Sequence, residues 1–458
     1  MFRKKSGREN MDMCSGPLTG KIIRFALPLI LTGVLQLLYN AADIMVVGQF
    51  SGKEALAAVG ATSALINLIV NLFMGLSVGA SVAVARSWGA KDTLAVHRAV
   101  HTAVSLAGIC GLILTAVGVC LARTLLNWLG TPADVMEGAT LYMQIYFAGM
   151  PFNLMYNFCA AVLRGAGDSK RPLYILMFSG LINVGLNLIF VICLGMAVEG
   201  VALATIISQA VSTVLVLWQL LRADSAVRLD WRKLKIHRDA LALIARVGLP
   251  AGLQSSLFSI SNVMIQSAVN SFGSITVAGN TAAGNLEGFA FTAMSSMNQA
   301  DMTFTSQNLG AKKPERVKKV FWICLVLSVC ISLALGFGML LAGPILLSAY
   351  TSDPSVISMG MIYIKSKYPY HFLLSANEVS VGQLRGMGCS MISMIISLIC
   401  VCALRVLWVL LVFPHWHTLE SLYLSYPISW VLCMLAQMIC YFVVRKRYLP
   451  REDTMSPD

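Results

Sequence analysis

Charge is scarce in this chain. Asp, Glu, Lys and Arg make up 12% of its 458 residues, about half the share carried by soluble domains. So few ionic groups cannot cover a water-facing surface, which excludes a soluble globular protein. Histidine is also rare, with six residues that fall mostly in loops or near segment ends. The twelve cysteines are spread mostly singly through apolar sequence without a CxxC, and read as small packing residues rather than a disulfide or metal framework. His415-x-His417 has no third ligand at matching spacing, so no metal site is expected. A GxxxxGK[ST] phosphate cradle is absent, as are GxSxG and HExxH, which argues against ATP hydrolysis and against a membrane-embedded hydrolase or acyltransferase. No cofactor is implied.

What fills the chain instead is hydrophobic residues, at 57%, with a mean hydropathy of +0.75. A hydrocarbon core of about 30 Å needs roughly 20 apolar residues per helix. Runs of that kind occupy 21–47, 58–85, 95–122, 136–162, 172–195, 200–221, 242–270, 275–306, 317–342, 355–384, 390–413 and 419–444. They are continuous rather than alternating, so helices are predicted and not barrel strands. The net charge of +13 could suggest nucleic acid, but its placement does not. The Lys and Arg residues sit in alternate connections, apart from Lys53, Arg123, Lys365, Lys367 and Arg405. That is the positive-inside pattern, and it places both termini in the cytoplasm of a multi-pass protein. The first apolar run is too long for a cleaved signal and is expected to stay as a spanning helix.

The segments fall into two sets of six, and landmarks repeat about 221 residues apart. Leu27-Pro28 returns as Leu249-Pro250, Asn40 as Asn262, and Gly89-Ala90-Lys91 as Gly310-Ala311-Lys312. Tyr142 returns as Tyr363, and Arg164-Gly165-x-Gly167 as Arg385-Gly386-x-Gly388. The expected organisation is a cytoplasmic tail over 1–20, a six-helix lobe over 21–221, a basic linker over 222–241, a second lobe over 242–444 and a tail over 445–458. An even number of spans per lobe gives both the same orientation, so a pseudo-two-fold axis along the membrane normal is expected. A duplicated membrane domain is the usual build of a secondary transporter, since two similar lobes can rock about a shared cavity; a channel fits it less well.

Pro28 and Pro250 lie inside the first helix of each lobe, where a missing N–H permits bending. The small residues Gly75, Ser77, Gly79 and Ser81 suit close helix approach. The arginine–glycine pairs end the fourth and tenth segments and read as helix stops with interfacial anchors. Met and aromatic residues such as Met150, Tyr156, Met294 and Met297 read mainly as packing, with a few lining an adaptable apolar cavity.

Four acids, Asp43, Glu287, Asp301 and Glu378, fall within predicted spans. An ionised group at mid-bilayer costs about 2.5–3.5 kcal/mol on insertion scales, so each is a functional candidate. Asp43 is followed by Ile44-Met45-Val46-Val47, and its repeat equivalent is Ile265. A charge present in one lobe only is what a single ion site looks like. Glu287 and Glu378 could bind a cationic substrate or relay protons, or pair with Lys365, Lys367 or Arg405. Asp301, nearer a helix end, suits a solvated or structural role.

The ordered set of these motifs resembles the MATE (multidrug and toxic compound extrusion) transporters over nearly the whole chain. Leu27-Pro28, Asn40 and Asp43-Ile-Met-Val-Val-Gly48 resemble the family's first helix, and Leu163-Arg164-Gly165-Ala166-Gly167-Asp168, Gly284-Asn285-Leu286-Glu287-Gly288 and Gln307-Asn308-Leu309-Gly310-Ala311 fit the same family. The resemblance implies a twelve-helix antiporter exporting organic cations against a proton or sodium gradient, and Asp43 matches the family's first-helix acid. Lys365 and Lys367 depart from the family's tenth helix. A bacterial cytoplasmic membrane is expected, with the lipid bilayer as surroundings, a monomer as the working form, and neither ATP nor nucleic acid as partner. The alternative within the same superfamily is a flippase for a lipid-linked saccharide precursor.

Overall fold

The computed structural model describes residues 11–46, 50, 52–132 and 135–448. Val47 and Gly48 of the first-helix motif lie outside the described residues, as do most of the two tails. The described chain is helical throughout, without a strand. The first half carries α1 (Leu18–Val46), α2 (Gly52–Gly89), α3 (Thr93–Trp128), α4 (Met136–Ala148), α5 (Met150–Gly165), α6 (Lys170–Asn187) and α7 (Val198–Leu221). The second half carries α8 (Arg238–Asn270), α9 (Ser274–Gly310), α10 (Pro314–Ser348), α11 (Pro354–Lys367), α12 (His371–Gly386), α13 (Ser390–Ser397), α14 (Leu404–Leu407) and α15 (Leu419–Tyr448).

Nine helices among the described residues are long and apolar enough to cross a membrane. The other three of the twelve expected spans depart for visible reasons. Segment 136–162 is broken at Gly149, with Pro151 opening α5. Segment 355–384 is broken at Tyr368-Pro369-Tyr370, between α11 and α12. Proline has no N–H to continue the ladder, and the two breaks fall at equivalent places in the repeat. The third, α9, is unbroken but rich in Ser, Thr, Asn and Gln, and most of its second half is buried. The surface is apolar where a water-soluble protein's is polar: Leu341 is 84% and Ile345 75% exposed. Polar side chains are turned inward instead, as in the buried Ser328–Ser375 hydroxyl pair at 2.6 Å.

The repeated motifs form repeated stops. Lys91 and Lys312 take φ of 57° and 55° just past α2 and α9. Gly167 and Gly388 take 94° and 87° just past α5 and α12, a region that only glycine enters without strain. The helix-stop reading of the arginine–glycine pairs is what the backbone displays. Met150, Tyr156, Met294 and Met297 are all buried, in keeping with packing.

The chain divides into two compact units. Unit 1 holds Leu31–Gly252 with Met1–Asp12, and unit 2 holds Met13–Ile30 with Leu253–Asp458. The division thus runs through α1 and α8, two residues beyond Pro28 and Pro250. Both prolines lie inside unbroken helices.

In unit 1, α2 meets the first part of α8 backbone to backbone. A Cβ on Gly75 would stand 2.2 Å from Gly252 N, and one on Gly79 would stand 2.2 Å from Ile244 O. The basic connection before α8 folds onto the same unit: Val227 and Leu229 are buried, and His237 N donates to Thr102 Oγ1 at 3.0 Å. In unit 2, Phe25 from the first part of α1 meets Phe304 of α9 edge-on, with centroids 5.9 Å apart. The short stretch before α1 is gripped there as well. Asn308 donates to Met13 O at 3.2 Å, and Arg316 donates to Ser15 O and Gly16 O at 3.1 Å each.

Candidate functional site

Asp43 sits in the last turns of α1, half-buried in unit 1. Asn187, at the end of α6, donates its amide to Asp43 Oδ1 at 2.5 Å. Asn183, one turn earlier, is also buried and lies 3.4 Å from the Asn187 amide nitrogen through Oδ1. Tyr142 and Tyr146 of α4 stack with centroids 6.1 Å apart, near enough for the Asp43 charge to act on both. A carboxylate with amide oxygens close by offers hard oxygen ligands to a small cation, or a base to a proton. Among the described residues, no group of three or more His, Cys, Asp and Glu side chains is placed to hold a metal ion.

Unit 2 builds a different arrangement around Glu287 of α9. Lys367, at the end of α11, places Nζ 2.6 Å from Glu287 Oε2 and 2.6 Å from the Tyr363 hydroxyl. Tyr363 donates to the same carboxylate oxygen. His371, opening α12, brings Nε2 to 3.2 Å from Oε1. Tyr363, Lys367 and His371 are spaced by four, so they line one face across the break between the helices. The ammonium also lies 3.9 Å from the centroid of Tyr426 and 4.2 Å from that of Tyr363, with Trp430 at 6.0 Å. Arg405 of α14 stacks on Tyr426 at 4.1 Å and donates Nε to Ser429 Oγ at 3.0 Å.

Glu378 of α12 is not part of that cluster. It accepts from Asn298 of α9 at 2.9 Å, and the Arg385 charge lies within range on the same helix. Asp301 is wholly buried, so the solvated role expected for it does not hold. The Cys324 thiol lies beside it, and Gln383, with its amide oriented to donate, reaches its two oxygens at 3.1 and 3.3 Å. Asn40 and Asn262 are exposed. Of the basic residues the sequence offered as partners, Lys367 pairs with Glu287, Lys365 is exposed, and Arg405 stacks on an aromatic ring. His371, inside the run 355–384, drew no attention because the six histidines fall mostly in loops or near segment ends. Its four-residue spacing from Lys367 was the available signal.

A profile of the MatE family matches residues 28–189 and again 250–410. The chain belongs to the MatE family. The two matches cover both sequence repeats. Among its relatives, the probable multidrug resistance protein YoeA of Bacillus subtilis is 28% identical over 453 residues, covering 93% of this chain and 94% of the relative. The FAD transporter of Shewanella oneidensis is 24% identical, covering 78% and 80%. The fold is that of a MOP superfamily transporter from Pyrococcus furiosus, with a TM-score of 0.89, 24% identity and coverage of 95% and 98%. This is a multi-pass membrane transporter with the twelve-helix MATE fold.

Within this MATE chain the repeat separates the two acids. The equivalent of Asp43 is Ile265, buried in unit 2, and the equivalents of Glu287 are Leu65 and Ile66, buried in unit 1. Tyr142 and Tyr363 are equivalent and attend an acid in each unit, whereas Lys367 replaces Tyr146. Of these two acids, Glu287 is neutralised by an internal cation, Lys367, whereas the described partner of Asp43 is the Asn187 amide.

Proposed function

We propose that this protein is a secondary active multidrug exporter of the bacterial cytoplasmic membrane. It carries organic, mainly cationic, amphipathic compounds outward in exchange for protons or sodium, by alternating access. Both termini face the cytoplasm, the working form is a monomer, and no ATP is used. The observation that carries this reading is Asp43, a carboxylate inside a span whose described partner is a neutral amide rather than a cation. Loading Asp43 with a proton or sodium ion removes the charge that attracts a cationic compound. Ion and substrate then favour different states, which is the physical content of coupling. The relatives named as multidrug resistance proteins support the substrate class.

The test is ethidium transport by proteoliposomes under an imposed proton or sodium gradient. Wild type is expected to transport under one of the two, and Asp43→Asn to lose gradient-driven transport while remaining folded. Undiminished coupling in Asp43→Asn would remove Asp43 from the mechanism.

A second reading is a flippase for a lipid-linked saccharide precursor. Lys367 and Arg405, both buried in unit 2, favour it because a pyrophosphate would complement their charge. The relative named as an FAD transporter points to the same phosphate chemistry. Transport of a pyrophosphate-linked lipid with no movement of ethidium would select this reading.

A further inference from the structure

Glu287 and its surrounding rings have the composition of an ammonium receptor. A carboxylate supplies the charge, and the faces of Tyr363, Tyr426 and Trp430 supply the quadrupoles that recognise alkylammonium groups. The receptor is not vacant, since the Lys367 ammonium fills it at the distances given above and is 1% exposed. Every strong contact made by that ammonium is one that a free amine could make. The four-carbon stem enters from the end of α11, so the occupant is tethered. His371 Nε2 stands 3.2 Å from the other carboxylate oxygen. Arg405 is the remaining cation facing the cluster, and it is anchored to Ser429 and Tyr426 instead.

We infer that the Glu287–Tyr363–Tyr426–Trp430 box is an organic-ammonium site occupied in cis by Lys367, so a free amine enters unit 2 only by displacing that side chain. The lysine is thus a built-in competitor. It sets a threshold that weak monovalent amines do not pass. This inference stands apart from which compound is exported, since it concerns binding alone.

The experiment is equilibrium binding of methylammonium and tetramethylammonium to the purified full chain, with thermal midpoint as a second readout. Lys367→Ala empties the box and is expected to bind at least one of the two about tenfold or more tightly than wild type, with a raised midpoint when the amine is present. Lys367→Gln refills the box with a neutral stem and is expected to show no gain. Lys367→Ala combined with Glu287→Gln is expected to lose the gain. A Lys367→Ala protein that binds neither amine better than wild type overturns the inference, as does a gain that survives Glu287→Gln. Should Lys367→Ala be recovered only when purified in one of these amines, the inference is supported. If neither amine restores it, the pair is purely structural and the inference fails.

Discussion

Glu287 is gripped from two directions, by Lys367 and Tyr363 of α11 and by His371 of α12. Neutralising it strands a buried ammonium. Glu287→Gln is therefore expected to destabilise the protein by about 3 kcal/mol, measured as a fall in the thermal midpoint of purified protein. Asp301→Leu leaves Gln383 without its acceptor, and about 1–3 kcal/mol should be lost. Ethidium transport by the Asp301→Leu protein that does fold should keep its gradient dependence, which separates a structural acid from a coupling one. At this scale the sequence was informative about which acids matter, because a carboxylate among Ile, Met and Val stands out. It was silent about partners. Lys365 and Lys367 looked equally available to Glu287, yet each residue turns a helix by about 100°, and two residues put one lysine outside and the other in the aromatic box. Asn187 and Asn183 drew no attention either, since uncharged amides inside an apolar run carry no ionic cost that marks them out.

The small-residue stripe of α2 shows how a helix pair depends on what is missing from it. Gly75 and Gly79 allow α8 to lie against the α2 backbone, and nothing flexible lies at the contact to move aside. Gly75→Val is expected to cost at least about 1–3 kcal/mol, read by denaturation or by the yield of folded protein. Gly167→Ala and Gly388→Ala place a Cβ at equivalent positive φ, and each should cost about 1–2 kcal/mol. Gly167→Ala should lose more, because its Cβ would also stand 2.7 Å from Met11 O. Helix existence was legible throughout, because apolar length is a strong signal. The breaks at Gly149 and Tyr368-Pro369-Tyr370 were not, since a proline inside a hydrophobic run is compatible with both a kink and an interruption. The burial of Val227 and Leu229 was hidden by the basic residues around them.

For the whole molecule, the distribution of Lys and Arg fixes the expected orientation. A fluorescent reporter fused after Asp458 should fold in the cytoplasm and fluoresce, and an alkaline phosphatase fusion at Gly130 should be active outside it. The reverse result would invert the topology. The duplicated plan was legible from recurring motifs, but the assignment of helix parts to compact units was not, because no residue marks that division. The unit containing Gly75 and Gly79 includes the first part of α8, which the chain encodes only after the linker. The unit containing Phe304 includes the first part of α1, encoded before any of its other helices. A gene cut at the linker would therefore yield two fragments, each lacking a piece of its own unit and carrying a piece of the other's. Each half is thus expected to depend on a stretch of helix encoded in the other, so that the duplication persists as an exchange rather than as two independent copies.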